Sequence, residues 1–109
     1  MERSWRAGHV QQLDRAETIA DGLAVRSPFP DALADLIGLV DDILLVDDET
    51  LVTAMRQAHE AIGVVLEPSG AAGLAALLTY RERFKGRLIG TILSGGNVTV
   101  EQMRQWLAK

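Results

Sequence analysis

Two short apolar runs, unbroken rather than alternating, most constrain what this chain can fold into. They are Asp41-Asp42-Ile43-Leu44-Leu45-Val46 and Leu88-Ile89-Gly90-Thr91-Ile92-Leu93. Continuous runs of this length, bounded by acids or turn residues, predict short strands buried on both faces. The segments between them carry helical spacing instead. Strands alternating with helices make an α/β fold the economical choice, with a partial parallel sheet flanked by helices.

The clearest helical pattern lies between 49 and 63, where Leu51, Val52, Met55, Ala58, Ala61 and Ile62 recur at helical spacing and Gly63 supplies a stop. Asp47, Asp48 and Glu49 precede it, where acids meet the positive end of the helix dipole. They read as caps, with Asp47 or Asp48 at the N-cap and a divalent-cation site as the rarer use of such a cluster. His59 and His9 read as surface or boundary residues. Asp31, after Pro30, opens a helix over 31–39 with Leu33, Leu36, Ile37 and Val40 on one face.

Glu67-Pro68 predicts a helix over 68–84, with proline at its first position and Glu67 as its cap. Gly70 and Gly73 weaken that helix intrinsically, which suits close packing either on a sheet or on a ligand. Thr99-Val100-Glu101-Gln102 is a capping box for a last helix carrying Met103, Trp106 and Leu107 on one face. Residues 1–17 are weakly patterned, with a short helix near 2–7 followed by irregular chain.

The composition excludes several classes. At 109 residues, 48% apolar and 24% charged, the chain reads as one small domain over 1–109. A net charge of −4 without a basic cluster speaks against nucleic acid. The absence of cysteine removes disulfides, thiolate catalysis and zinc–thiolate sites, and fits a cytoplasmic location. No apolar run is long enough for a membrane span, and Met1-Glu2-Arg3-Ser4-Trp5-Arg6 lacks the core of a signal peptide. Lysine is scarce: Lys85 and Lys109 stand against nine arginines.

The second apolar run ends in Ser94-Gly95-Gly96, placing a hydroxyl at the carboxyl edge of the expected sheet, where open α/β folds bind ligands. Two glycines there permit positive φ and close backbone approach. Upstream, Gly22 interrupts the short apolar stretch Thr18-Ile19-Ala20-Asp21-Gly22-Leu23-Ala24-Val25, another sign of close approach. Each motif alone is common in turns. Their joint occurrence, in order, is specific.

Four blocks carry a family resemblance: Thr18-Ile19-Ala20-Asp21-Gly22, Val40-Asp41-Asp42-Ile43, Glu67-Pro68-Ser69-Gly70-Ala71 and Leu93-Ser94-Gly95-Gly96-Asn97-Val98. In this order, over essentially the whole chain, they resemble the C-terminal portion of threonine dehydratases and serine racemases. Those are pyridoxal-phosphate enzymes of the tryptophan-synthase-β type. The resemblance implies part of the large domain of a fold-type II enzyme. It also implies roles: Ser94 hydrogen-bonding the pyridine nitrogen of the cofactor, Glu67 as the acid near its ring, and Gly22 as backbone beside it. Gly95 and Gly96 would form the turn that lets Ser94 reach inward.

Other parts of the family pattern are not in this sequence. The Ser-x-Lys block with the Schiff-base lysine and the four-glycine run that cradles the phosphate are both absent. Lys85 sits in the charged turn Arg81-Glu82-Arg83-Phe84-Lys85-Gly86-Arg87, and Lys109 is the last residue. Neither is placed to hold a cofactor covalently, so no residue is expected to be catalytic here. The resemblance implies a truncated dehydratase-like lyase, not active alone, whose partner is a missing N-terminal half or another chain, and a homo-oligomer. The alternative is a non-catalytic α/β module that self-associates or complements a partner, through an exposed apolar patch around Leu23, Val25, Phe29 and Trp5.

Overall fold

The computed structural model describes residues 1–108, and its organising element is α3 (Asp48–Ile62). The Asp47 carboxylate accepts a hydrogen bond from Thr50 N at 2.7 Å, a helix cap that holds its carboxyl below the usual carboxylate range. Gly63 ends the helix at φ 71°, donating to His59 O at 2.9 Å. Leu51, Ala54, Met55 and Ala58 form the buried stripe. Ala61 and Ile62, expected on that stripe, are exposed: residues 59–63 are all exposed, so the last turn overhangs the core.

The segment expected as one helix over 68–84 is three pieces. A 3-10 turn (Pro68–Ala71) leads into α4 (Ala72–Thr79), and α5 (Arg81–Phe84) follows a break at Tyr80. Tyr80 lies outside helical geometry at φ −111° and ψ 38°, and its hydroxyl donates to Leu45 O at 2.7 Å.

α3, α4 and the 68–71 turn enclose a core of Ala20, Leu51, Ala54, Met55, Ala58, Leu66, Ala71 and Ala75. Alanine dominates it, so backbones approach closely. α6 (Val100–Trp106) closes one side through the expected capping box, with Thr99 Oγ1 accepting from Gln102 N at 3.2 Å and Gln102 Oε1 accepting from Thr99 N at 2.9 Å. Arg56 Nε fastens it to α3 by donating to Trp106 O at 2.5 Å.

At the other side stand α1 (Glu2–Ala7), where a short helix was expected, and α2 (Pro30–Leu36), which buries Leu33. Asp42 joins distant segments: its carboxylate accepts from Arg83 Nη1 at 2.5 Å and Arg6 Nη2 at 3.1 Å. The Arg83 guanidinium, helped by Ile43 N–H and Arg6, holds the Asp42 carboxyl below its ordinary range. Glu2 in turn raises the Arg6 guanidinium.

The expected parallel sheet is not formed among the described residues. Residues 42–47, 64–67 and 88–97 run without regular secondary structure, and no ladder joins them. A strand needs a neighbour running alongside it. Residues 88–93 make no backbone hydrogen bond to any other described segment. The run read as a second buried strand is also exposed throughout: Leu88 is 103% exposed and Ile92 83%. The first run is half-buried at Ile43, Leu44 and Val46, while Leu45 is exposed. No helix among the described residues is long and apolar enough to cross a membrane.

Candidate functional site

Two turns meet where the sequence placed its candidate residues. The first is 67–70, opened by Glu67 in extended geometry, whose carbonyl accepts from Gly70 N at 3.0 Å and Ala71 N at 3.2 Å. Glu67 therefore occupies the N-cap position, but its side chain does not cap the turn. Its carboxylate reaches the second turn, 94–97, and accepts from Asn97 N at 3.1 Å through Oε2. Its backbone N–H donates to Gly95 O at 3.0 Å.

Gly95 makes this clasp possible. It adopts φ 68°, and a Cβ there would lie 2.3 Å from the Glu67 carboxyl carbon. Only glycine both takes that conformation readily and leaves room for the carboxylate. Gly96 is less constrained, with its nearest contact to a built Cβ at 3.4 Å from Val65 O.

Gly70 presses against Ser94 even more closely. A Cβ at Gly70 would fall 1.5 Å from Ser94 O, and Ser94 N donates to Gly70 O at 3.4 Å. A Cβ at Gly73 would fall 2.1 Å from Thr91 Oγ1. Both glycines pack closely on the chain's own extended segment. The Ser94 side chain is exposed, and its hydroxyl has no hydrogen-bond partner among the described residues.

Gly22 joins the same neighbourhood from the other side. It lies in a 3-10 turn (Asp21–Leu23), where a built Cβ would stand 2.9 Å from Ser69 Oγ. That hydroxyl is buried and has no partner. Upstream of Gly22, the Thr18 hydroxyl donates to Asp48 Oδ1, and Ile19 N donates to Asp48 Oδ2 at 3.1 Å.

Glu67, Ser94, Gly95 and Gly96 thus belong to two interlocked turns, and Gly22 abuts them through Ser69. The sequence reading did not single out the Asn97 N–H, the Ser69 hydroxyl or the Thr18–Asp48 link. The first is a backbone group and carries no residue signal. The second and third appear only when sequence-distant turns touch.

Lys85 lies apart, on an exposed turn within 3.8 Å of Glu82, and Lys109 falls outside the described residues. The acids at 47–49 divide their work: Asp47 caps α3, Asp48 holds Thr18 and Ile19, and Glu49 is exposed. Among the described residues no cluster of three potential ligands is poised for a metal ion. A cleft of about 340 Å³ is lined by residues such as Ser4, Gln11, Leu13, Thr18, Leu23 and Val25, and none of Glu67, Ser94, Gly95 and Gly96 lines it. Leu23, Val25 and Phe29 are exposed as expected, at 55%, 40% and 80%, whereas Trp5 is half-buried.

Comparison with known proteins converges on one family. Residues 1–95 match the family described as pyridoxal-phosphate dependent enzyme. The biosynthetic L-threonine dehydratase of Bacillus subtilis is 36% identical over 100 residues, covering 92% of this chain and 24% of that protein. The L-threo-3-hydroxyaspartate ammonia-lyase of a Pseudomonas species is 37% identical over 101 residues, covering 93% of this chain and 32% of that protein. The structure of maize serine racemase superposes with a TM-score of 0.82 at 38% identity, covering 95% of this chain and 33% of the other. The chain therefore spans roughly a quarter to a third of the length of these relatives.

Proposed function

We propose, from the premise that this chain belongs to the family of pyridoxal-phosphate-dependent enzymes, that it forms the pyridine-ring side of the cofactor site in a dehydratase-like ammonia-lyase. The observation that carries this reading is the Glu67–Gly95–Asn97 clasp, which fixes the turn bearing Ser94 while leaving the Ser94 hydroxyl uncommitted.

The residues fit the ring side of the group and not the rest of it. An exposed neutral hydroxyl suits a hydrogen bond to a ring nitrogen, and Glu67 keeps one oxygen beyond the one that Asn97 N holds. Pyridoxal phosphate, when bound, supplies an electron sink for negative charge at an amino-acid α-carbon. Ser94 carries no charge that would keep the ring nitrogen protonated, so it moderates that sink. A moderated sink is enough for β-elimination, where departure of a 3-hydroxyl relieves the developing charge. The substrate class is accordingly a 3-hydroxy amino acid. Threonine, 3-hydroxyaspartate and serine, which appear in the names of the relatives, all carry that hydroxyl.

These 109 residues contain no Ser-x-Lys block and no four-glycine run. The covalent lysine and the phosphate cradle come from polypeptide outside them, either the remainder of a longer chain or a separate partner. A second reading, a non-catalytic module that self-associates, draws on the exposed Leu23, Val25 and Phe29.

The test is a titration of the purified chain with pyridoxal phosphate, followed by absorbance, then borohydride reduction and intact mass. Saturable binding without a trapped adduct, weakened several-fold by Ser94→Ala, is the expected result. No binding at all would mean an enzyme remnant or a scaffold module that cannot hold the cofactor without the polypeptide outside these residues. An adduct on Lys85 or Lys109 with turnover of serine or threonine would overturn the assignment of the covalent lysine to other polypeptide.

A further inference from the structure

The turn that carries Gly22 is not held by residues of its own. The 3-10 turn (Asp21–Leu23) contains three residues, and none of them is buried. A turn so short has no core of its own and takes its position from neighbours. The neighbour upstream is the Thr18–Ile19–Ala20 segment, and it is pinned at both ends. Ala20 is 2% exposed in the core, and its carbonyl accepts from Leu23 N at 2.9 Å. Thr18 gives and receives: its hydroxyl donates to Asp48 Oδ1 and accepts from Ala20 N at 3.1 Å. The second Asp48 oxygen accepts from Ile19 N at 3.1 Å.

One carboxylate on the first turn of α3 therefore uses both oxygens on two consecutive residues of a segment 29 to 30 positions upstream. Asp47, not Asp48, serves as the helix cap, so this arrangement is not explained by capping. Downstream, Gly22 lies against the buried Ser69 hydroxyl, inside the turn between Glu67 and Gly70. The order of contacts runs from Asp48 to Thr18 and Ile19, then to Gly22, Ser69 and the Glu67–Ser94 turns.

We propose that Thr18 and Asp48 are positioning residues that hold the Gly22 turn against the 67–70 turn and so set one wall of the cofactor site. The inference rests on the function proposed above for Glu67 and Ser94, but its own geometry lies within this chain. Charge-assisted hydrogen bonds are the stronger kind, and a carboxylate with two donors on one short segment fixes both position and orientation. Removing the Thr18 hydroxyl leaves Asp48 with one donor and frees Ala20 N.

Two measurements on the full 109-residue chain decide the matter. Thr18→Val keeps the shape of the side chain and removes the hydroxyl, while Thr18→Ser restores it. Amide hydrogen exchange in Thr18→Val should quicken about tenfold at residues 19–23, with residues 49–62 of α3 unchanged. Thr18→Ser should return the slow rates. Uniform quickening across the chain, or no change at 19–23, would overturn the proposal. In the pyridoxal phosphate titration, Thr18→Val should weaken binding several-fold and Thr18→Ser should restore it. Unchanged affinity in Thr18→Val would also overturn it. If the unsubstituted chain binds no pyridoxal phosphate, the ring-side contacts do not suffice without the missing phosphate cradle, and the exchange pattern alone decides whether Thr18 and Asp48 hold the Gly22 turn.

Discussion

The α3–α4 layer and the stretch from 88 to 97 both carry large apolar side chains and meet opposite fates. In the first, Ala54, Met55, Ala71 and Ala75 are completely buried. In the second, every residue is exposed, including Leu88, Ile89, Ile92 and Leu93. The difference lies in what each has beside it. α3 meets α4, the 68–71 turn and α6, so its apolar stripe is covered on several sides. The extended stretch touches the rest of the chain at few points, chiefly Thr91 against Gly73, Ser94 against Gly70 and Gly95 against Glu67. The site proposed here straddles the two, with Glu67 on the packed side and Ser94 on the bare one. Its geometry therefore depends on the close glycine approaches and on the Glu67 hydrogen bonds to Gly95 O and Asn97 N.

Truncating one large apolar side chain in each region separates the two most strongly. Met55→Ala should cost about 2–5 kcal/mol of unfolding free energy, since Met55 is fully buried. Ile92→Ala should stay within about 0.5 kcal/mol, as an exposed position does. Urea unfolding midpoints at constant slope would separate them, and a large loss at Ile92 would show that the stretch is covered in solution. Next come the glycines. Gly70→Ala should cost about 1–3 kcal/mol, because the added methyl meets Ser94 O, which is backbone and cannot swing aside. Gly90→Ala meets nothing within 4 Å and should be near neutral in the same assay.

A smaller effect sharpens the boundary itself. Gly95→Ala forces a side chain into left-handed geometry at roughly 1–2 kcal/mol, and directs it at the Glu67 carboxylate. The expected readout is faster amide exchange at Glu67 and Asn97 with α3 protection retained.

The smallest effect is electrostatic. The Asp42 and Asp47 carboxyls titrate below their unfolded values, so between those values the unfolded chain binds more protons and stability rises with pH. Their contribution is present above the unfolded carboxylate value and is lost as pH falls through the folded one. Asp42→Asn should flatten the acid limb of a plot of urea midpoint against pH, most visibly at low salt.

Local signals were legible where the structure that answers them is local. Thr99 and Gln102 cap α6 as the spacing required, Asp47 caps α3, and Gly63 ends it. The stripe through Leu51, Met55 and Ala58 is buried, and the resemblance in the four blocks agrees with the family match. What failed depended on neighbours. The run at 88–93 reads as a buried strand because apolar residues seek cover, yet burial belongs to the covering layer and not to the run. Likewise nothing around Tyr80 announces that its hydroxyl will reach Leu45 and interrupt a helix. In the site, Ser94, Gly95 and Glu67 were legible as motif residues. Their clasp through Asn97 N and the closeness of Gly70 to Ser94 were not, because they join turns more than twenty positions apart.

The bare run at 88–93 also governs how the chain behaves in a crowded solution. Six consecutive residues without charge or proline, carrying unpaired backbone groups, form a self-templating edge of the kind that seeds cross-β assembly. Arg87 stands just before it, and the first charge after it is Glu101, so gatekeeping charge lies close on one flank only. The chain is therefore expected to aggregate more readily as its concentration rises, and light scattering measured against concentration checks this.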